Sequence, residues 1–287
     1  MYHHEKGNNP TDTYGSDSRV SNPYALPAAS LAASLNVSVP HSARMWNRWL
    51  GGKDHFPADR LAADQAAEIF PEIIDIARSS RRLLQRVVTR LTVSEGIRQF
   101  LDIGTGLPTA DNTHEVAQRE APETRVVYVD NDPLVLTHAR ALLVGTPEGV
   151  TSYIDADVRD PGKILREADK ILDFTKPIGL VLFGVMANVI DDDEAYAVVG
   201  KLVDALPSGS YLALNDGTES PERSEAVRRN ERIGAAPYRS RTPEELVHFF
   251  DGLELLPPGV VSTPLWRPGK RARGKTLASH CGLARKN

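Results

Sequence analysis

The 287 residues carry 34 Lys and Arg against 38 Asp and Glu, a formal net charge of −4, with 41% hydrophobic and 25% charged residues. That balance is ordinary for a globular protein and gives no sign of a nucleic-acid binder. The single cysteine, Cys281, excludes an intramolecular disulfide framework, and no apolar run approaches the roughly 18 residues of a membrane helix.

In chain order, residues 1–39 are rich in Ser, Asn, Pro, Tyr and Gly and lack periodicity, so a disordered or loosely docked tail is expected there. The polar start, Met1 to Ser16, does not read as a signal peptide. Residues 40–96 are helical in character and form the expected N-terminal helical cover. A short helix over Ala43 to Leu50 stops at Gly51-Gly52, and Pro57 opens a second over Ala58 to Ile69. A long basic helix follows, its apolar face running from Ile73 through Ala77, Leu84 and Val88 to Leu91. Its arginines, Arg78, Arg81, Arg82, Arg86 and Arg90, are expected on a solvated face.

From Arg98 the rhythm becomes strand-helix alternation. Strands are expected at Gln99 to Ile103, Arg125 to Val129, Val150 to Ile154, Ile178 to Phe183 and Ser210 to Leu214. Helices are expected at Asn112 to Arg119, Pro133 to Leu143, Pro161 to Ile171, Asp192 to Ala205 and Pro221 to Ile233. A further helix runs to Phe250, opened by the cap Thr242-Pro243-Glu244-Glu245. Leu253 to Val261 and Thr276 to Leu283 read as a final antiparallel pair, with the basic stretch Arg267 to Lys275 as its loop. The carboxylate run Asp191-Asp192-Asp193 reads as a helix cap and first-turn charge, and no His, Cys or Asp cluster has metal-ligand spacing. Repeated βα units imply a parallel sheet with helices on both faces, and residues 97–287 are expected to form one ligand-binding domain.

In such a sheet a ligand sits outside the carboxyl ends of the strands, where the strand order reverses. The first strand ends in Asp102-Ile103-Gly104-Thr105-Gly106 and the second in Asp130-Asn131-Asp132. The third ends in Asp155-Ala156-Asp157-Val158, the fourth in Phe183-Gly184-Val185-Met186, and the fifth in Asn215-Asp216-Gly217. Glycines let backbone approach a ligand closely, and a carboxylate ending the second strand can accept both hydroxyls of a ribose. A dinucleotide site would want a third glycine, but Thr109 stands there, and no Lys or Arg lies between Gly104 and Val116 to face a phosphate. Asp102, two residues before the first glycine, suits a cationic ligand. S-adenosylmethionine (SAM) carries a sulfonium and an ammonium and no phosphate, so the pattern favours SAM over NAD. Asp130 is then expected on the ribose diol, Asp157 on the adenine amine with the Val158 amide on a ring nitrogen, and Gly104 beside the methionine. Phe183 or Met186 would pack on the adenine or line the cleft.

The Asp-x-Gly-x-Gly turn, the acid ending the second strand and the Asp-Val after the third together resemble a class I SAM-dependent methyltransferase. More narrowly, three segments resemble an actinobacterial family of SAM methyltransferases long catalogued as a domain of unknown function. They are Trp49 to Arg60 (Trp-Leu-Gly-Gly-Lys-Asp-His-Phe-Pro-Ala-Asp-Arg), Asp102 to Thr109, and Val127 to Pro133. The resemblance spans His41 to Lys286. It implies an α/β, Rossmann-like fold with a seven-stranded, mostly parallel sheet, and a SAM site at Asp102, Gly104, Thr105, Gly106, Asp130, Asn131, Asp157, Val158, Phe183 and Gly184. It brings no known acceptor.

The link Gly51 to Arg60 reads either as a plain helix-helix turn or as a lid presenting Lys53, Asp54, His55 and Arg60. His55 is a weak candidate for a general base, and His114 for a packed or capped histidine. The Phe183 to Asn188 segment lacks the Asn/Asp-Pro-Pro-aromatic pattern of exocyclic base methylation, and no Cys nucleophile stands near the site. The expectation is therefore a cytoplasmic methyltransferase acting on a small molecule. An NAD(P)-dependent oxidoreductase and a non-catalytic SAM-binding protein stay open as alternatives, and the oligomeric state is open too.

Overall fold

The computed structural model describes residues 36–142, 144–267 and 275–287. Most of the expected 1–39 tail and residues 268–274 of the expected basic loop lie outside the described residues. Three helices come first: α1 (Ser42–Trp49), α2 (Pro57–Ile69) and α3 (Glu72–Val93). The alternating part follows as β1 (Gln99–Ile103), α4 (Thr113–Glu120), β2 (Arg125–Asp130), α5 (Pro133–Leu142), β3 (Val150–Asp155), α6 (Pro161–Ala168) and β4 (Gly179–Phe183). Then come α7 (Asp192–Ala205), β5 (Tyr211–Gly217), α8 (Pro221–Glu231), α9 (Pro243–Val247), β6 (Glu254–Leu255), β7 (Val261–Ser262) and β8 (Ser279–Arg285).

The sheet runs in the order β3-β2-β1-β4-β5-β8-β6, with β7 also on β8. Strands β1 to β5 pair in parallel, and β8 returns antiparallel to β5. The order reverses between β1 and β4, which places a crevice at their carboxyl ends. The strand expected over Leu253 to Val261 is broken into β6 and β7. Pro257 and Pro258, joined by a cis peptide bond, and Gly259 at φ 86° interrupt it, because proline gives no ladder donor. The sheet thus has eight strand segments where a seven-strand pattern is expected.

Alternation along the strands sorts the two faces. Leu101, Ile103, Val127, Val129, Leu180 and Leu182 turn to one side and pack with Ile164 and Ala168 of α6 and Val198 and Leu202 of α7. Phe100, Val126, Tyr128 and Val181 turn to the other and meet Leu83, Leu84, Val87, Val88 and Leu91 of α3 and Val116 and Ala117 of α4. So α3, expected within the helical cover, lies against the sheet, while α1 and α2 pack on each other around Met45, Ala62 and Ala63. Helix ends follow local chemistry. Asp160, Asp191, Ser220 and Thr242 each accept a bond from the backbone amide of the third residue of the helix they precede. The Asp191 cap confirms the reading of the carboxylate run. The helix expected to Phe250 ends as α-helix at Val247 and continues as a 3₁₀ turn. Cys281 is a buried strand residue whose thiol burial pushes up to about 12.

Candidate functional site

A cavity of about 340 Å³ opens at the reversal point, within the range of small-ligand sites. Every cofactor residue expected from the sequence lines it: Asp102, Gly104, Thr105, Gly106, Asp130, Asn131, Asp157, Val158, Phe183 and Gly184. Asp102 and Asp130 come together because each shares its strand face with the side that α3 covers, and both are buried.

The turn after β1 is held open by backbone geometry. Gly104 sits at φ 74° and Gly106 at φ 67°, a region that costs other residues about 1–2 kcal/mol. A Cβ on Gly104 would lie 2.5 Å from the Val185 Cβ, so the close approach also requires glycine. Gly104 and Thr105 both donate from their amides to the Val129 carbonyl, at 2.8 and 3.3 Å.

The three carboxylates differ in what they have left to offer. Asp130 accepts from the Gly106 amide at 2.9 Å and from the Asp132 amide at 3.0 Å, one bond on each oxygen. A carboxylate has about four acceptor positions, so two remain, one per oxygen, as a vicinal diol needs. Burial raises its pKa and the two amides hold it back. Asp102 accepts from the Thr113 hydroxyl at 2.6 Å, and burial pushes it up to about 6 against the pull of Arg81. Asp157 accepts from Arg159 through the amide, Nε and Nη2, at 2.9, 2.8 and 2.8 Å, and from Asn131 at 3.0 Å. These bonds, Arg159 first, hold it at about 2. They fill its acceptor positions, so an adenine amine reaches Asp157 only if one partner moves aside.

Helix α1 closes the cavity with Ala43, Trp46 and Asn47, Leu50 at its C-terminal cap joins them, and α3 adds Ser80, Arg81 and Leu84. A helical cover over the site was expected from this region, but none of these side chains was singled out. Arg81 corrects the reading of a solvated arginine face. It is half-buried, near the Asp102 charge, and donates from Nη2 to the Asp111 carbonyl at 3.2 Å. Its place between Ala77 and Leu84, four and three residues away on the apolar stripe, was the available signal. Trp46 lies over Gly184, where a Cβ would come within 3.5 Å of the indole.

The cover is fastened by buried charge. Arg44 of α1 donates from Nε to Asp132 at 3.0 Å, and its Nη1 lies 3.5 Å from Asp59 of α2. His41 Nδ1 stands 3.1 Å from the same Asp132 oxygen, and both carboxylates are fully buried. Asp132, read as a strand-end site residue, therefore serves as this anchor and as an acceptor for the Leu134 amide at the start of α5.

Other candidates lie elsewhere. Lys53, Asp54, His55 and Arg60 are not among the lining residues; Asn47 binds the Asp54 amide at 3.0 Å and fixes the loop outside the cavity. His41 is the histidine that does line it. Met186 is wholly buried in the core and lines no part of the cavity. Asn215 is consumed by Ser80, Thr263, Ser279 and the His280 carbonyl, and Asp216 accepts from the Ala187 and Gly217 amides and the Tyr238 hydroxyl. Both lie within β5, which runs three residues beyond its expected end at Leu214. His114 is packed, paired with the Tyr128 hydroxyl at 2.9 Å.

The residues fit SAM. Gly104 has no room for a side chain and Gly106 faces open space, a buried acid retains two acceptor positions for a diol, and the lining sets three carboxylates, Asp102, Asp130 and Asp157, against two arginines, Arg81 and Arg159.

Comparison with known proteins agrees. Residues 28–287 match the family model described as S-adenosyl methyltransferase. The chain is similar to the crystal structure of a DUF574 family protein from Streptomyces avermitilis MA-4680, at 42% identity and a TM-score of 0.84 over 88% of this chain and 99% of that one. It is also similar to a candidate methyltransferase from Thermobifida fusca YX, at 40% identity and a TM-score of 0.81 over 91% and 98% of the two chains. No curated protein matches the chain.

Proposed function

The chain belongs to the S-adenosyl methyltransferase family, and we propose that its 340 Å³ cavity holds SAM beneath α1 for methyl transfer to a small-molecule acceptor. The observation that carries this reading is the pair of acceptor positions left on Asp130 after the Gly106 and Asp132 amides are counted. Those positions take the ribose hydroxyls. Gly104 and Gly106 bring backbone against the methionine part, with Asp102 supplying negative charge behind it. Val158 and Phe183 flank the adenine, and Asp157 joins only when Arg159 or Asn131 releases it.

Bound SAM supplies a methyl on a positively charged sulfur, which an acceptor lone pair takes as the carbon–sulfur bond breaks and S-adenosylhomocysteine (SAH) remains. The chain's contribution is alignment and water exclusion. Trp46 of helix α1 and Leu50 at its cap exclude water, and the Arg44 anchor fixes that helix over the strand ends. No side chain of the lining is needed as a base unless the acceptor must lose a proton, and His55 is not placed for that role. The small-molecule reading rests on the cavity's size and on its closure by α1. A cytoplasmic location fits the lone, buried Cys281. Among the described residues, no helix is long and apolar enough to cross a membrane.

A crystal structure with SAH tests the placement. The expected result is both ribose hydroxyls within hydrogen-bond distance of Asp130 and adenine beside Val158. SAH bound elsewhere, or ribose away from Asp130, would overturn it.

A further inference from the structure

The SAM cavity uses only part of the arginine run of α3. Arg81 lines that cavity, whereas Arg86 and Arg90 line a separate one of about 520 Å³ that shares no residue with it. Arg119 of α4 and Arg267, beyond β7, complete the basic lining, and Asp111 is the one acid there among the described residues. That acid is already engaged. Its carboxylate accepts from Arg119 Nη2 and from Gln85 Nε2, each at 2.7 Å. Arg90 has Glu95 at 2.6 Å. Arg86 and Arg267 have no carboxylate partner among the described residues. Arg86 donates from Nη2 to the Thr263 carbonyl at 3.3 Å, and Arg267 from Nε and Nη2 to the Pro257 carbonyl at 3.2 and 2.9 Å. Burial, and with it the charge of Arg82 one turn back, pulls the Arg86 pKa down. The Cys281 sulfur could steady Arg86 only as a thiolate, and burial keeps that thiol neutral at pH 7. In Arg86 and Arg90 the Nε is sealed off, but Nη1 makes no hydrogen bond among the described residues and stays open to solvent. A ligand therefore meets terminal nitrogens rather than buried ones. Asp111 at φ 57° and Arg267 at φ 41° are the two non-glycine residues at positive φ among the described residues, and both line this cavity. Backbone strain of that kind gathers at ligand sites.

We infer that this separate cavity is an anion site that takes a phosphate group, free or as a monoester. The charge sets the class. Two guanidiniums without a carboxylate, Arg86 and Arg267, call for a ligand of charge near −2, and a phosphate group carries about −1.5 to −2 at pH 7. The shape of the lining sets the geometry. Its four arginines come from three separate stretches of chain, so the ligand must offer acceptors in several directions. A tetrahedral phosphate does so, whereas a carboxylate brings one charge and two oxygens in a plane. The cavity is larger than a bare phosphate needs, which leaves room for an ester group.

The test is calorimetric titration of the full chain with inorganic phosphate, methyl phosphate and acetate at one fixed ionic strength. The expected result is a phosphate probe bound about tenfold or more tighter than acetate, the value of one charge-assisted hydrogen bond. Tighter binding of methyl phosphate assigns the ester, tighter binding of inorganic phosphate the free ion, and either supports the site. Arg86→Gln and Arg267→Gln should each weaken the better probe about tenfold. Arg229→Gln, at an exposed arginine of α8 outside the lining, should leave it within about twofold. SAH affinity, titrated separately, should stay within about twofold in all three variants, since none of these residues lines the first cavity. Three results would overturn the inference: phosphate probes bound no tighter than acetate, phosphate affinity unchanged in either folded variant of Arg86 or Arg267, or an equal loss in Arg229→Gln. Arg267 is exposed, so its variant carries the test even if Arg86→Gln fails to fold. Failure of the wild type to bind SAH is read in its own titration and would overturn the cofactor placement instead.

Discussion

Replacing Asp102 by Asn should stabilise the fold while weakening SAM binding. The carboxyl is buried behind the glycine turn, and burial lifts its pKa from 3.8 to about 6 even with Arg81 nearby and a 2.6 Å bond from Thr113. Keeping it ionised in the folded chain at pH 7.5 therefore costs about 3 kcal/mol. Asparagine removes that cost, and because the value of about 6 already includes the pull of the Thr113 bond, the gain is about 3 kcal/mol. For a chain of this size that is a rise of roughly 6–12 °C in Tm. The sign follows from linkage. The folded-state pKa lies above the unfolded one, so the wild type loses stability as pH rises from about 4 through 6, and the asparagine variant does not. At pH 4.5 the ionisation cost has fallen to about 1 kcal/mol, and the gain should fall with it to about a third. Thermal unfolding of both proteins without ligand, at pH 7.5 and 4.5, measures this. A lower Tm for the variant at pH 7.5, or the same difference at both pH values, would refute the reasoning.

The same group sets a pH dependence of binding: if only ionised Asp102 accepts the cationic ligand, SAM affinity should fall about tenfold between pH 7 and pH 5, and Asp102→Asn should flatten that profile in calorimetry. Asp130→Ala should weaken SAM and SAH by about 2–4 kcal/mol, roughly 30- to 1,000-fold, because the diol loses both partners; unchanged affinity would sink the assignment. Arg44→Met leaves Asp59 and Asp132 buried without their cation, so a loss of about 3–5 kcal/mol is expected in denaturant unfolding, with faster proteolysis within α1. Gly104→Ala, at φ 74° and against Val185, should cost at least about 1–2 kcal/mol in the same assay and abolish SAM binding.

The parallel strands were legible because each is a short apolar run ending in Gly, Asp or Asn, and both the fold and the glycine-acid constellation follow from those ends. Asp102 and Asp130 could be read as a pair because neighbouring parallel strands bring their ends together. The roof was not legible in that way. Trp46 and Arg81 sit in helices whose docking is decided by contacts far along the chain, such as Arg44 to Asp132, which local periodicity does not report. Asn215 and Asp216 look like strand-end ligands in sequence, but β8 pairs alongside them and their side chains are used up inside the protein. The sixth strand misled although its signal was present, since Pro257-Pro258-Gly259 cannot continue a ladder. His55 drew attention as an ionisable group in a glycine-rich link, and it is the backbone bond to Asn47 that keeps that link outside the cavity.

The central claim is that the cavity between Gly104 and Asp130 binds SAM. Calorimetric titration of the ligand-stripped chain with SAM, SAH and NAD in parallel tests it most directly. The expected result is micromolar binding of both sulfur ligands and none of NAD, about 8 kcal/mol of binding free energy for each. Absence of binding by SAM and SAH, or binding of NAD alone, would contradict it.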